Sequence, residues 1–208
     1  MALPGSGTIT IAQIAAEFGG DAPHSLSEYY RGGSYTTSNN TNVPTSGAIS
    51  LTDFYGAVKQ IFYAATGGTI TTSGNYKYHT FTGSGTFQVT TAGLATDGID
   101  YVVVAGGGGS GQDNSGGAGA GGMIAVAGAA KSVASYTITV GGGGAGNSSA
   151  GTQGSASSGL GTSTVGGGRG SSWGTRTGGT GGSGGGSSAS NSGGSGTSGQ
   201  GSNGGNGG

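Results

Sequence analysis

The chain contains no cysteine. Disulfides and cysteine-ligated metal are therefore excluded, and the fold has to hold without either kind of staple. Charge is scarce as well: six Lys or Arg and seven Asp or Glu among 208 residues, for a formal net charge of −1. With no basic stripe or Lys/Arg cluster, the sequence argues against a nucleic-acid binder and against electrostatic attachment to an anionic membrane. Apolar residues never run together for the length of a membrane span. The opening MALPGSGTIT lacks a basic segment followed by an apolar one, so no membrane insertion and no Sec signal is expected. Hydrophobic residues amount to 31%, too few for one large core spread over the whole length.

Groups that carry chemistry are equally sparse. His24 and His79 are the only histidines and sit in unlike parts of the chain, so neither a histidine metal site nor a Ser-His-Asp triad is expected. The carboxylates show no paired acid/base spacing beyond what a solvated face explains. We therefore expect no enzyme, no catalytic residues, no cofactor and no metal.

What the chain has is glycine, 56 residues of it, very unevenly placed. Up to Val140, Leu, Ile, Val, Phe and Tyr occur throughout; from 141 to 208 the large apolar residues are Leu160, Val165 and Trp173. The expected organisation is an N-terminal module over 1–59, a β-rich region over 60–140 and a glycine-rich distal region over 141–208.

The first of these repeats internally. PGSGTITIAQIAAEF at 4–18 aligns with PTSGAISLTDFYGAV at 44–58, and SLSEYY at 25–30 is a shorter echo. Each copy places a hydroxyl residue three positions before a polar or acidic one (Thr10/Gln13, Ser25/Glu28, Ser50/Asp53), the spacing of a capping box, which marks three helix starts. Behind them apolar residues recur at helical spacing: Ile11, Ile14 and Phe18; Leu26, Tyr29 and Tyr30; Leu51, Phe54 and Tyr55. Helices this short are unstable alone. Their apolar faces must meet each other or a partner surface, and we assign these nine residues to assembly and docking in an attachment module.

From Gln60 the period changes to two. Strands are expected at 61–63, 68–72, 76–82, 86–90, 100–105, 123–127 and 135–140, separated by Gly-containing turns such as Ser73-Gly74-Asn75. This is the pattern of a compact antiparallel β-sandwich, so the fold class is mainly β. Composition alone leaves 141–208 open between a flexible Gly/Ser linker and extended polyglycine II-like strands that pack side by side because no Cβ keeps them apart. The clustering of Gly141–Gly144, Gly166–Gly168 and Gly184–Gly186 favours the ordered form.

The stretch YVVVAGGGGSG at 101–111 looks like the dinucleotide fingerprint, a strand running into Gly106, Gly108 and Gly111. That motif requires a helix at the third glycine and an acidic residue about twenty positions later. Here QDNSGGAGAGG follows, which cannot propagate a helix, and Asp113 is the last acidic residue of the chain. The glycines are instead expected to serve backbone packing. One further stretch stands out: Arg169, Trp173 and Arg176, a lone Trp flanked by two Arg in a tract of small polar residues. Such a group can stack on sugar faces or aromatic groups, so these three are the candidate receptor-binding residues.

The opening P-x-S-G-x-I-[ST]-[IL]-x-x-[IF], at Pro4–Ile14 and again at Pro44–Phe54, resembles the N-terminal stretches of many virion structural proteins of tailed bacteriophages. GGTITTSGNYKYHTFTGSGTFQV, then DYVVVAGGGGSG, GAGAGGM and YTITVGGGGAG, are similar to the glycine-rich domain of phage tail-fibre proteins. More loosely, the tail resembles the glycine-rich adhesins at fibre tips of T-even-like phages. The resemblance implies a virion protein made in the host cytoplasm, a tail fibre or tail-tip component. Its N-terminal module would engage other virion proteins, its copies would form a homo-oligomer, a trimer, and its exposed surface would contact a host polysaccharide or outer-membrane receptor. A head or neck decoration protein and a secreted ice- or matrix-binding protein remain the alternatives.

Overall fold

The computed structural model describes residues 2–59, 61–93 and 97–208; Gln60, where the β-rich region was placed to begin, lies outside them. The chain divides into two compact units, residues 1–62 and 63–208. The architecture is mainly β, with antiparallel sheets that do not close into a barrel and one short α-helix near the N-terminus.

In the first unit all three expected helix starts form, but only the first yields an α-helix, α1 (Ile11–Phe18). Its cap is reciprocal: Gln13 N–H donates to Thr10 Oγ1 at 3.3 Å and Thr10 N–H to Gln13 Oε1 at 2.8 Å. The second and third copies, Leu26–Tyr29 and Leu51–Phe54, are single 3-10 turns. Ser25 N–H donates to Glu28 Oε1 and Ser50 N–H to Asp53 Oδ2, at 3.1 and 2.7 Å, so the shorter Asp side chain also completes its bond. Glycines at 32–33 and 56 follow too soon for a second turn. Each copy delivers one ring to the centre. Phe18, Tyr29 and Phe54 form a triangle with centroid separations of 6.4, 6.2 and 6.3 Å, all three essentially without solvent contact. Leu3, Ile9, Ile14, Val43 and Ala57 pack around them.

Two tyrosines outside that triangle reinforce the repeat. Tyr30 and Tyr55 occupy matching positions in the second and third copies, and their hydroxyls donate to the carbonyls of Gly47 and Gly7, themselves matching residues in the 40-residue repeat. Asn40 secures the end of the unit, donating from Nδ2 to Val58 O at 2.9 Å and accepting from Val58 N at 2.8 Å, as a neighbouring strand would.

In the second unit β1 (Ala64–Thr66), β4 (Gly85–Thr91) and β7 (Ala134–Ile138) form an antiparallel sheet in the order β1-β4-β7. β2 (Thr69–Ser73) pairs with β3 (Tyr76–Thr80) across Gly74-Asn75, with φ +56° at Gly74. β5 (Ile99–Val104) pairs with β6 (Met123–Ala129). The strand expected at 61–63 is not formed, and the chain first pairs at Ala64. A hairpin absent from our expectation, β8 (Ser157–Gly159) and β9 (Thr162–Thr164), turns on Leu160-Gly161, with positive φ at both residues. The apolar interior is thin: among the described residues of this unit, the buried apolar side chains are Phe87, Val89 and Ala105.

The remainder is a backbone lattice. Extended runs over 106–111, 116–122, 141–146, 151–156, 165–171, 178–182, 183–188, 192–196 and 201–207 pass to and fro, and their hydrogen bonds recur every third residue. Gly106 and Gly109 N–H donate to Ser155 and Thr152 C=O at 3.0 and 2.8 Å; Gly119 and Gly122 donate to Gly168 and Val165, both at 2.8 Å; Gly184 and Ser187 donate to Ser202 and Gly205 at 2.9 and 3.0 Å. A β ladder recurs every second residue. Three residues per turn is the period of the left-handed polyproline II helix, so the layer is polyglycine II-like. The run 106–111 also bonds to runs 116–122, 141–146, 151–156 and 165–171, whereas a sheet strand has at most two neighbours.

At the tightest positions such packing leaves no room for a side chain. A Cβ on Gly106 would stand 2.0 Å from Gly142 O, and one on Gly108 2.2 Å from Gly168 O. Gly106 and Gly108 thus have their amides committed to neighbouring backbone, and all three fingerprint-like glycines, Gly111 included, have their empty faces against it. The layer is also wider than the 141–208 tail, since runs 106–111 and 116–122 belong to it.

Two substitutions test these cores. Phe54→Ala should destabilise the first unit by about 3–5 kcal/mol, read from denaturant unfolding of resonances from residues 1–62. Gly167→Ala, whose Cβ would meet Gly119 O at 2.1 Å, should lower the melting temperature sharply; Gly205→Ala, whose Cβ meets nothing within 4 Å, should leave it nearly unchanged.

Candidate functional site

The lattice fixes where its loops emerge. Runs 106–111 and 116–122 continue from β5 and into β6, and the β8–β9 hairpin joins runs 151–156 and 165–171 close to those strands. The turns at the opposite end, over 112–115, 147–150, 172–177 and 189–191, are therefore gathered together away from the sheets. Direct bonds link them: Gln112 N–H donates to Ser149 O at 3.2 Å, Gly116 N–H to Ser171 Oγ at 2.9 Å, and Ser188 N–H to Arg176 O at 3.0 Å. Left-handed residues make the tight reversals, with φ of 55° and 46° at Asp113 and Asn114 and 45° and 49° at Ala189 and Ser190.

The 172–177 loop is the most built of these. Thr175 N–H donates to Ser172 Oγ at 3.2 Å, the Ser172 and Thr175 hydroxyls lie 3.0 Å apart, and Ser188 Oγ donates to Ser172 O at 3.3 Å. On this base Trp173 stands 58% exposed. Arg176 lies against it, with Cζ 5.1 Å from the ring centroid and Nε donating to Trp173 O at 3.4 Å. A cation over an indole face holds the ring in place and leaves its other face to solvent.

Arg169 does not join them through any contact in the structure. It lies within the run 165–171, half-buried, with its stem along Gly179, where a Cβ would stand 2.7 Å from Arg169 Cγ. Its C=O accepts from Gly179 N–H at 2.9 Å, and its Nη1 is buried without a hydrogen-bond partner. Arg169 is accordingly a lattice residue, and the exposed pair is Trp173 with Arg176.

The nine residues assigned to docking mostly turn inward. Ile14, Phe18, Tyr29 and Phe54 form the interior of the first unit, and Ile11, Leu26, Leu51 and Tyr55 pack against it; Tyr30 is half-buried with its hydroxyl on Gly47. The apolar faces meet each other, so the four buried side chains cannot also meet a partner. Tyr29 Oη donates to Gly19 O at 2.8 Å and lies 3.2 Å from His24 Nδ1. Burial raises its pKa above the ordinary tyrosine value, with the charge of Glu28 and then Tyr35 adding to the effect. The second histidine, His79, bonds Gly67 O at 2.8 Å and meets the Phe87 ring edge-on at 5.1 Å. Among the described residues no group of three or more His, Asp or Glu is placed to hold a metal ion, and no helix is long and apolar enough to cross a membrane.

Sequence reasoning missed the other loops of this end, Asp113-Asn114, Asn147–Ala150 and Ala189–Asn191. Their signal was present as the non-glycine interruptions between glycine runs, each placed where a run reverses.

No curated protein and no solved structure matches the chain. A family model described as a glycine-rich domain matches residues 80–208, a span that takes in most of the strands, every lattice run and all the loops described above. The chain therefore belongs to the glycine-rich domain family.

Proposed function

We propose that the chain is a non-enzymatic structural protein of a tailed-bacteriophage particle, a tail-fibre or tail-tip component that presents a host-contacting surface. The observation that carries this reading is the gathering of the lattice loops at one end, with Trp173 exposed there and backed by Arg176. A rigid backbone layer positions these loops without contributing chemistry of its own, which suits presentation rather than catalysis. The repeated P-x-S-G opening of residues 1–62 supports the assignment of that unit to assembly with other virion proteins. In the particle the copies associate, as a trimer, and weak contacts with a polar host polymer are multiplied by copy number.

Two experiments test the proposal. Immunogold electron microscopy of purified particles, with an antibody against residues 141–208, should place gold at fibre or tail tips. Gold over the head or neck would make the chain a decoration protein, and gold on cells alone would remove it from the virion. In adsorption assays Trp173→Ala should slow attachment by about tenfold or more, as loss of an interface anchor does, with a smaller effect for Arg176→Gln. Arg169→Gln should instead show its effect in the melting temperature.

A further inference from the structure

A second recess lies away from the loops. Between β7 and the β8–β9 hairpin the structure has an open cleft of about 400 Å3. It arises because a strand pairing begins and is then broken. Thr139 and Ser158 exchange both backbone hydrogen bonds, at 2.8 and 2.9 Å. Continued in register, that ladder would pair Thr137 and Ser135 with the residues after Ser158, but the chain turns away at Leu160-Gly161. β7 is the terminal strand of its sheet. By the two-residue alternation of an antiparallel strand, Thr137 and Ser135 direct their N–H and C=O groups to the same side as Thr139, into the cleft.

Hydroxyl residues and apolar surface share the lining. Ser135 and Thr137 come from β7 and Ser158 and Ser163 from the hairpin, whereas the Thr162 hydroxyl is paired with Tyr101 Oη at 2.9 Å; no charged side chain lines the cleft. Tyr136, between Ser135 and Thr137 on β7, turns its side chain to the opposite face of the strand, where its hydroxyl donates to Ser132 O at 3.1 Å. At the lip stands Leu160 with φ +54°, a left-handed conformation that a bulky side chain rarely adopts. Two donors outside the cleft hold it there: Lys131 Nζ and Tyr101 Oη both donate to Leu160 O, at 2.8 and 3.2 Å. The two-residue hairpin turn requires positive φ at both positions, and these contacts fix a turn that leucine alone would disfavour.

We propose that this cleft binds a neutral saccharide. The uncharged hydroxyls of Ser135, Thr137, Ser158 and Ser163 and the open backbone edge of β7 suit sugar hydroxyls, and Leu160 offers apolar surface. The lining carries no charged side chain and Lys131 is turned onto Leu160 O from outside it, so a charged sugar would find no direct ion-pair partner, and an extended peptide would find backbone partners on β7 but no pocket for its side chains. The site is separate from Trp173 and Arg176, and the inference holds whatever surface the loops contact.

The test is an amide-resonance titration of the full chain with methyl α-glucopyranoside, methyl α-galactopyranoside and methyl α-mannopyranoside, with methyl α-glucuronide as the charged control. At least one neutral glycoside should give saturable shifts at Ser135–Thr137 and Ser158–Ser163. Thr137→Val and Ser163→Ala, both at exposed positions, should weaken binding by about three- to tenfold each, as loss of one hydrogen bond does. Leu160→Gly, which suits the left-handed turn, should keep the fold and weaken binding. Trp173→Ala should leave the shifts unchanged, which separates this site from the loop site. Absence of saturable shifts in the cleft with all three neutral glycosides would overturn the proposal, as would equal binding of the glucuronide or unchanged binding by the folded Thr137→Val and Ser163→Ala variants.

Discussion

Close approach of one bare backbone to another is the constraint on which the second unit depends. At the centre of the lattice, carbonyl oxygens sit about 2 Å from where a Cβ would stand, so the packing exists only for glycine. Ordering glycine is costly, since it loses more conformational freedom than any other residue. A single backbone hydrogen bond returns only about 0.5–1.5 kcal/mol net. The runs are therefore stable only collectively, when neighbours on several sides use their amides together. A lone glycine run in water would have no such partners.

This division of labour explains why so little hydrophobic residue suffices. The first unit is stabilised in the ordinary way, by three rings and a shell of aliphatics brought together by three copies of one motif. The second has Phe87, Val89 and Ala105 as its buried apolar side chains among the described residues, and its interior is otherwise mostly backbone bonded to backbone, with buried hydroxyls such as Thr164, Ser171 and Ser188 bonded to it. Side chains are then released from packing duty, which is why hydroxyls, amides and a single Trp can stand at the loops. Where a side chain does intrude, as at Arg169, it lies along a neighbouring glycine and leaves one nitrogen buried and unpartnered.

Much of this was legible from residue patterns. Capping boxes at Thr10, Ser25 and Ser50 marked helix starts because they are local chemistry, and the period-two runs located β2 through β7 to within a few residues. The extent of the helices was less legible: glycines after the second and third copies reduced them to single turns, while the first copy continues to Phe18. Pairing among the glycine runs could not be read, because glycine carries no side-chain code to choose a neighbour, and so the participation of 106–122 was legible only as a strand entering a glycine layer. The β8–β9 hairpin was hidden for a related reason. Its turn is Leu160-Gly161, and a leucine gives no hint that it will adopt a left-handed conformation until Lys131 and Tyr101, distant in sequence, are seen to hold its carbonyl. Trp173 and Arg176 were legible only as a group of three with Arg169, which was separated from them by knowing which run it lies in.

The three-residue period of the lattice also bears on how such a chain can change length. Adding or deleting one or two residues within a run would rotate everything beyond it by a third or two thirds of a turn, setting side chains where neighbouring carbonyls lie and amides where no acceptor waits. A change of three residues would restore the facing. Length variation inside the runs should consequently be quantised in triplets, while the turns at 112–115, 147–150, 172–177 and 189–191, which lie outside the repeat, are free to grow by any number.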